Sequence, residues 1–199
     1  MSKTRAAFAL TGSFCTFDKA FEQMRALVNM GYDVTPILSF SAAQTDTRFY
    51  PCERVKSILR EITGKDALVT LPQVEPLGPK KLTDLYIIAP MTGVSMAKFA
   101  NGIFDTPPLL GAKSHLRNGR PVLIAPSTND GLSTAAENIG KILNMKNVYM
   151  VPYGQDDPVR KPRSLVADFA LLPKAAACAL EGAQLQPILT CNHGENAVK

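Results

Sequence analysis

Four stretches of this 199-residue chain collect hydroxyls and small residues directly after short apolar runs. They are Thr11-Gly12-Ser13-Phe14, Ser39-Phe40-Ser41, Pro90-Met91-Thr92-Gly93 and Pro126-Ser127-Thr128-Asn129, and none contains a carboxylate. Hydroxyls and backbone N–H groups donate hydrogen bonds, so this set suits the holding of an anion. The first stretch lacks both the Gly-x-Gly-x-x-Gly of a dinucleotide loop and the Gly-Lys-Ser/Thr of a P-loop. It offers one glycine, two hydroxyls and a helix predicted to start near Thr16, with Ser39 and Ser41 able to donate from a neighbouring strand end. Each charge-assisted bond contributes roughly 1.5–3 kcal/mol, and micromolar binding needs about 8 kcal/mol, so three or four bonds anchor a single phosphate. The alternative is a tight turn that binds nothing.

Other reactive groupings are sparse. The two histidines, His115 and His193, are expected on the surface. The four cysteines, Cys15, Cys52, Cys178 and Cys191, never form Cys-x-x-Cys and read as reduced thiols of a cytoplasmic protein. No His/Cys/Asp grouping has metal-ligand spacing, and no serine has an arguable histidine partner for a hydrolase triad. The net charge of +5 is dispersed, with only Lys80-Lys81 and Arg160-Lys161-Pro162-Arg163 locally dense. That pattern favours a solvated surface or a small anionic ligand over nucleic acid. No apolar run approaches the roughly 18 residues of a membrane span, and Met1–Thr4 leads straight into a strand-like segment with no signal peptide.

The elements that must position these stretches show in the hydrophobic pattern. Strands are predicted at Ala6–Leu10, Val34–Leu38, Leu85–Ala89, Val122–Ala125 and Val148–Val151. Phe17, Phe21, Met24 and Val28 share one helical face that Gly31 terminates, and Cys52–Ile62 repeats the theme with Gly64 beyond it. Ser95–Ile103, Ser133–Leu143 and Ser164–Leu180 are further predicted helices, the last bent or divided at Pro173. Leu68–Pro79 reads as an irregular loop and the tail 190–199 as partly disordered. Alternating strands and helices predict one α/β domain over 1–199, a Rossmann-like or flavodoxin-like parallel sheet of about five or six strands with helices on both faces. In such sheets ligands bind beyond the carboxyl ends of the strands, where all four hydroxyl stretches fall.

A monophosphate on a flavodoxin-like sheet points to FMN. Residues 87–105, "IIAPMTGVSMAKFANGIFD", resemble the flavin loop of the flavoprotein family that includes phosphopantothenoylcysteine decarboxylase, the peptidyl-cysteine decarboxylases and the flavin prenyltransferases. The helix part is matched by Ala97-Lys98-Phe99-Ala100-Asn101-Gly102, and the resemblance extends to Thr11-Gly12-Ser13 and to "APSTNDGL" at 125–132. It implies that Gly12, Ser13, Phe14 and Ser39, with Ser41 in addition, hold the FMN phosphate. It also implies that Met91, Thr92, Gly93 and Ser95 lie against the isoalloxazine ring; capping of the following helix is the other use for Thr92 and Ser95. Cys15 then either fills space under the flavin or serves as a reactive thiol at a helix start.

The decarboxylase chemistry does not carry over. Fourteen residues before Pro90, where the family's histidine stands, this chain has Pro76, and the loop's fifth position is Val94 rather than asparagine. Asn129 matches the asparagine of the later substrate motif, but Ser127 stands where the prenyltransferases have a basic residue. Within the family the chain is most similar to the flavoprotein subunit of a two-chain oxidoreductase of sporulating bacteria. That resemblance implies oxidation of a small dicarboxylate, an A-type partner chain that alone handles NAD(P), and a trimer-based homo-oligomer. Arg48, Lys98 and Asn129 are the expected substrate contacts, and no side chain is assigned to catalysis. A non-catalytic partner subunit that binds FMN or phosphate and a prenyltransferase-like enzyme are the alternatives.

Overall fold

In the computed structural model, residues 3–190 are described; Cys191, His193 and the 191–199 part of the tail lie outside them. Strand β1 (Arg5–Leu10) leads through a 3-10 turn (Phe14–Thr16) into helix α1 (Phe17–Asn29). The chain continues through β2 (Asp33–Leu38), α2 (Phe40–Gln44), α3 (Cys52–Thr63), α4 (Leu71–Val74), β3 (Leu85–Met91), α5 (Gly93–Ala100) and α6 (Pro107–Leu116). It ends with β4 (Val122–Thr128), α7 (Ala136–Leu143), β5 (Val148–Met150), β6 (Tyr153–Asp157), β7 (Lys161–Ala167) and α8 (Leu172–Leu180).

The predicted faces explain the main helices. Helix α1 buries Phe17, Ala20, Phe21, Met24 and Leu27, a stripe at helical spacing that packs on the sheet. Gly31 beyond it takes φ +91°, a left-handed conformation that any side chain would strain. Every residue of β3 is buried, as expected of a parallel strand covered on both faces.

Strands β1 to β5 are parallel in the order β2-β1-β3-β4-β5. The order reverses between β1 and β3, which creates a crevice at their carboxyl ends. Strand β4 outruns β5: Val122–Ile124 pair with Val148–Met150, whereas Ser127 and Thr128 pair antiparallel with Val166 and Leu165 of β7. Strand β6 pairs antiparallel with β7.

Among the described residues the sheet is therefore mixed and seven-stranded, the parallel part extended by the antiparallel β6–β7 hairpin. The predicted helix over Ser164–Leu180 is corrected: its first part completes β7, a 3-10 turn spans Phe169–Leu171, and α8 starts only at Leu172. Pro173 sits in the first turn of α8, where its missing N–H costs nothing, so it starts the helix rather than bending it. The predicted loop over Leu68–Pro79 contains α4 and a 3-10 turn (Glu75–Leu77), the former opened by a reciprocal Thr70–Gln73 capping box. His115 is not on the surface; it is fully buried on α6, with Nδ1 3.1 Å from the Thr83 hydroxyl.

Candidate functional site

The carboxyl ends of β1, β3 and β4 open onto a cleft of about 650 Å³. That volume is in the range of pockets that enclose a cofactor-sized ligand. One end is built by residues 12–16. Phe14 and Cys15 open the helical run on the cleft lining, so their N–H groups have no preceding turn to bond with. The Ser13 hydroxyl lies 2.8 Å from that of Ser127 and 3.3 Å from that of Thr16. Behind the loop, a Cβ on Gly12 would come within 3.2 Å of Ser41 Oγ, so the glycine permits a close approach.

The β3 loop is anchored from β1. The Thr11 hydroxyl donates to the Pro90 carbonyl at 2.8 Å and accepts the Thr92 N–H at 3.0 Å. Thr92 also caps α5, its Oγ1 accepting from Ser95 N at 3.2 Å and donating to Ser95 Oγ at 2.9 Å. Gly93 presses against the β4 end, where a Cβ would fall 2.6 Å from Thr128 Oγ1 and 2.8 Å from Asp130 Oδ1. Val94 stands beside it, 70% exposed.

Of the residues singled out in the sequence, the structure brings Gly12, Ser13, Phe14, Arg48, Thr92, Gly93 and Asn129 together around the cleft. Ser39, Ser41, Met91, Ser95 and Lys98 are not on its lining. Ser39 is buried and caps α2, its hydroxyl accepting from Ala42 N at 3.2 Å and lying 3.1 Å from Ser41 Oγ. Met91 is fully buried, and Lys98 is paired with Asp105 at 2.7 Å. The expected helix start at Thr16 comes two residues earlier, at Phe14. Cys15 is exposed and lies 3.9 Å from the Ser13 hydroxyl.

The wall made by the hairpin is what the sequence concealed. Asp156 of β6 and Lys161, Ser164 and Val166 of β7 line the cleft, as do Lys19, Phe49 and Asp130. Lys161 and Asp156 are 2.6 Å apart, and the carboxylate holds the ammonium above the ordinary lysine value. Arg48 packs 4.9 Å over the Phe49 ring. Reading "KPRSLVA" as a strand would have exposed the wall; Ser164, Leu165 and Ala167 are its buried members. Lys19, Arg48 and Lys161 leave the cleft with three cations against two carboxylates.

This donor set fits FMN: a one-glycine turn opening a helical run, with hydroxyls and Lys19 on the same cleft, suits a monophosphate. No group of three or more metal-ligating side chains occurs among the described residues, and no helix there is long and apolar enough to cross a membrane.

Known proteins resemble the chain over most of its length. A family model for flavoproteins matches residues 1–169. The B subunit of dipicolinate synthase from Bacillus subtilis (strain 168) is 45% identical over 193 residues, covering 96% of each chain. The crystal structure of the dipicolinate synthase B subunit from Bacillus halodurans superposes with a TM-score of 0.87 at 42% identity, covering 94% of this chain and 96% of that one. An FMN-dependent cysteine decarboxylase from thioviridamide biosynthesis shares the fold, with a TM-score of 0.65 at 18% identity over 90% of this chain and 99% of its own.

Proposed function

The chain belongs to the flavoprotein family, and from that premise we propose that its cleft binds FMN and that it acts as the flavoprotein subunit of dipicolinate synthase. The reaction is oxidation of a dihydro- or tetrahydrodipicolinate precursor to dipicolinate during sporulation. The observation that carries this reading is the cleft at the β1/β3 reversal, lined by the Gly12–Thr16 turn and the Thr92-Gly93 loop. FMN bound there supplies a two-electron acceptor.

The chain's own residues supply position and charge. Ser13, Thr16 and the first N–H groups of the helical run hold the phosphate, with Lys19 alongside. Arg48 and Lys161 are cations on the cleft that attract a dicarboxylate, and Asn129 offers an amide to one carboxylate. A dipicolinate synthase A subunit carries any NAD(P) and meets this chain as its partner. A trimer-based homo-oligomer belongs to the same proposal.

The test is the visible spectrum of the purified protein before and after adding FMN, with the released ligand identified by mass. Bound FMN with perturbed flavin bands is the expected result. A protein that stays colourless with excess FMN refutes the reading and leaves a non-catalytic partner subunit in its place.

A further inference from the structure

We propose that Asp130 is the base that takes the substrate proton when the ring is oxidised, an assignment that rests on the flavoprotein reading above. Conversion of a dihydro precursor to the aromatic dicarboxylate removes two hydrogens. One would leave carbon with its bonding pair, as hydride, and bound FMN would supply the two-electron acceptor for it. The other leaves as a proton, and the pair it leaves behind completes the aromatic ring. That proton needs an acceptor, and side chains able to accept it are few.

Among the described residues, two carboxylates line the cleft, Asp130 and Asp156. Asp156 is committed to Lys161, its carboxylate 2.6 Å from the ammonium. Asp130 forms no ion pair among the described residues; its carboxylate accepts a hydrogen bond from the Thr128 hydroxyl. Its backbone is fixed as well, because its carbonyl accepts from Ser133 N at 2.9 Å and Ala135 N at 3.1 Å. The carboxylate lies against Gly93, where a Cβ would be 2.8 Å from Oδ1. It therefore borders the Thr92-Gly93 loop assigned to the flavin ring. Asp130 follows the fourth hydroxyl stretch by one residue, so the stretch itself shows no acid or base.

The charged side chains on the same cleft are the Lys161–Asp156 pair of the hairpin, Arg48 and Lys19.

The experiment follows anaerobic bleaching of the flavin band in the FMN-loaded complex with the A subunit, mixed with dihydrodipicolinate. FMN affinity and dipicolinate affinity are measured separately by titration. In Asp130→Asn, both affinities should persist while flavin reduction slows by roughly a hundredfold or more, the size expected for loss of a general base. Asp130→Glu should restore part of the rate. Thr128→Val, which keeps the carboxylate and removes its donor, should reduce the rate less. Undiminished flavin reduction in Asp130→Asn overturns this assignment alone. A wild-type complex that takes up no FMN, or whose flavin the substrate does not reduce, overturns the flavoprotein reading and the assignment with it.

Discussion

Thr11 shows how one hydroxyl can carry a site without touching a ligand. It is 1% exposed, donates to the Pro90 carbonyl at 2.8 Å, and accepts the Thr92 N–H at 3.0 Å. It thereby fixes the end of β3 and the start of the loop on which Gly93 approaches Thr128. Thr11→Val keeps the shape and leaves the part-buried Thr92 N–H without its acceptor, a loss of about 1–3 kcal/mol. The urea midpoint should fall accordingly and FMN affinity should weaken with it, while Thr11→Ser should retain most of both. A Thr11→Val protein as stable as the wild type would show that the latch contributes nothing. The sequence displays this hydroxyl beside a glycine, so an anion contact is the natural local reading. Its true partner lies 81 residues away, and no local pattern encodes that distance. Ser39 is similar: its type and place are legible, but its use as the cap of α2 emerges only from the fold.

At the scale of elements, the apolar strands and the two long amphipathic helices are legible because burial imposes a period on them. The β6–β7 hairpin is not. "SLVADFALLPKAAACAL" is rich in Leu and Ala, and its strand portion is too short for alternation to outweigh helix propensity. Pairing with Ser127 and Thr128 on the free end of β4 decides the outcome, and that is a tertiary effect. Helix α6 hides its role for a different reason, since a lone histidine gives no sign of its depth. His115 is fully buried, 5.8 Å from the Tyr86 ring by centroids, and burial pushes its pKa from 6.5 down to about 4. The folded protein holds the ring neutral, whereas the unfolded chain binds a proton below pH 6.5. The neutral ring's contribution is thus complete above 6.5 and is lost as pH falls toward 4. Its size is on the order of 3 kcal/mol. Urea unfolding from pH 7 to 4 should show this loss in the wild type in excess of that in His115→Met. Parallel pH dependences would place the ring in contact with water in solution.

Over the whole molecule, the strand order and the placement of the strand ends make one cleft from segments distant in sequence. Residues 12–16, 48–49, 92–94, 127–130 and the hairpin meet only in the folded state. A ligand of this cleft therefore binds the native chain and not the unfolded one, and must raise its stability by mass action. At a hundred times its dissociation constant, FMN should add about 2.7 kcal/mol. For a chain of this length that corresponds to a rise of roughly 5–10 °C in Tm. The phosphate makes the prediction sharper. If the Gly12–Thr16 turn is the cradle, riboflavin at the same concentration should give a much smaller shift, because it keeps the ring and lacks the anion. Ser13→Asp should erase most of the advantage of FMN over riboflavin, since a carboxylate there meets the phosphate across the same N–H groups. It should leave the ligand-free Tm near that of the wild type only if the Ser13–Ser127 contact of 2.8 Å contributes little by itself. Equal shifts from FMN and riboflavin would mean that the ring finds its place while the turn holds no phosphate, and the anion reading of Thr11-Gly12-Ser13 would fall.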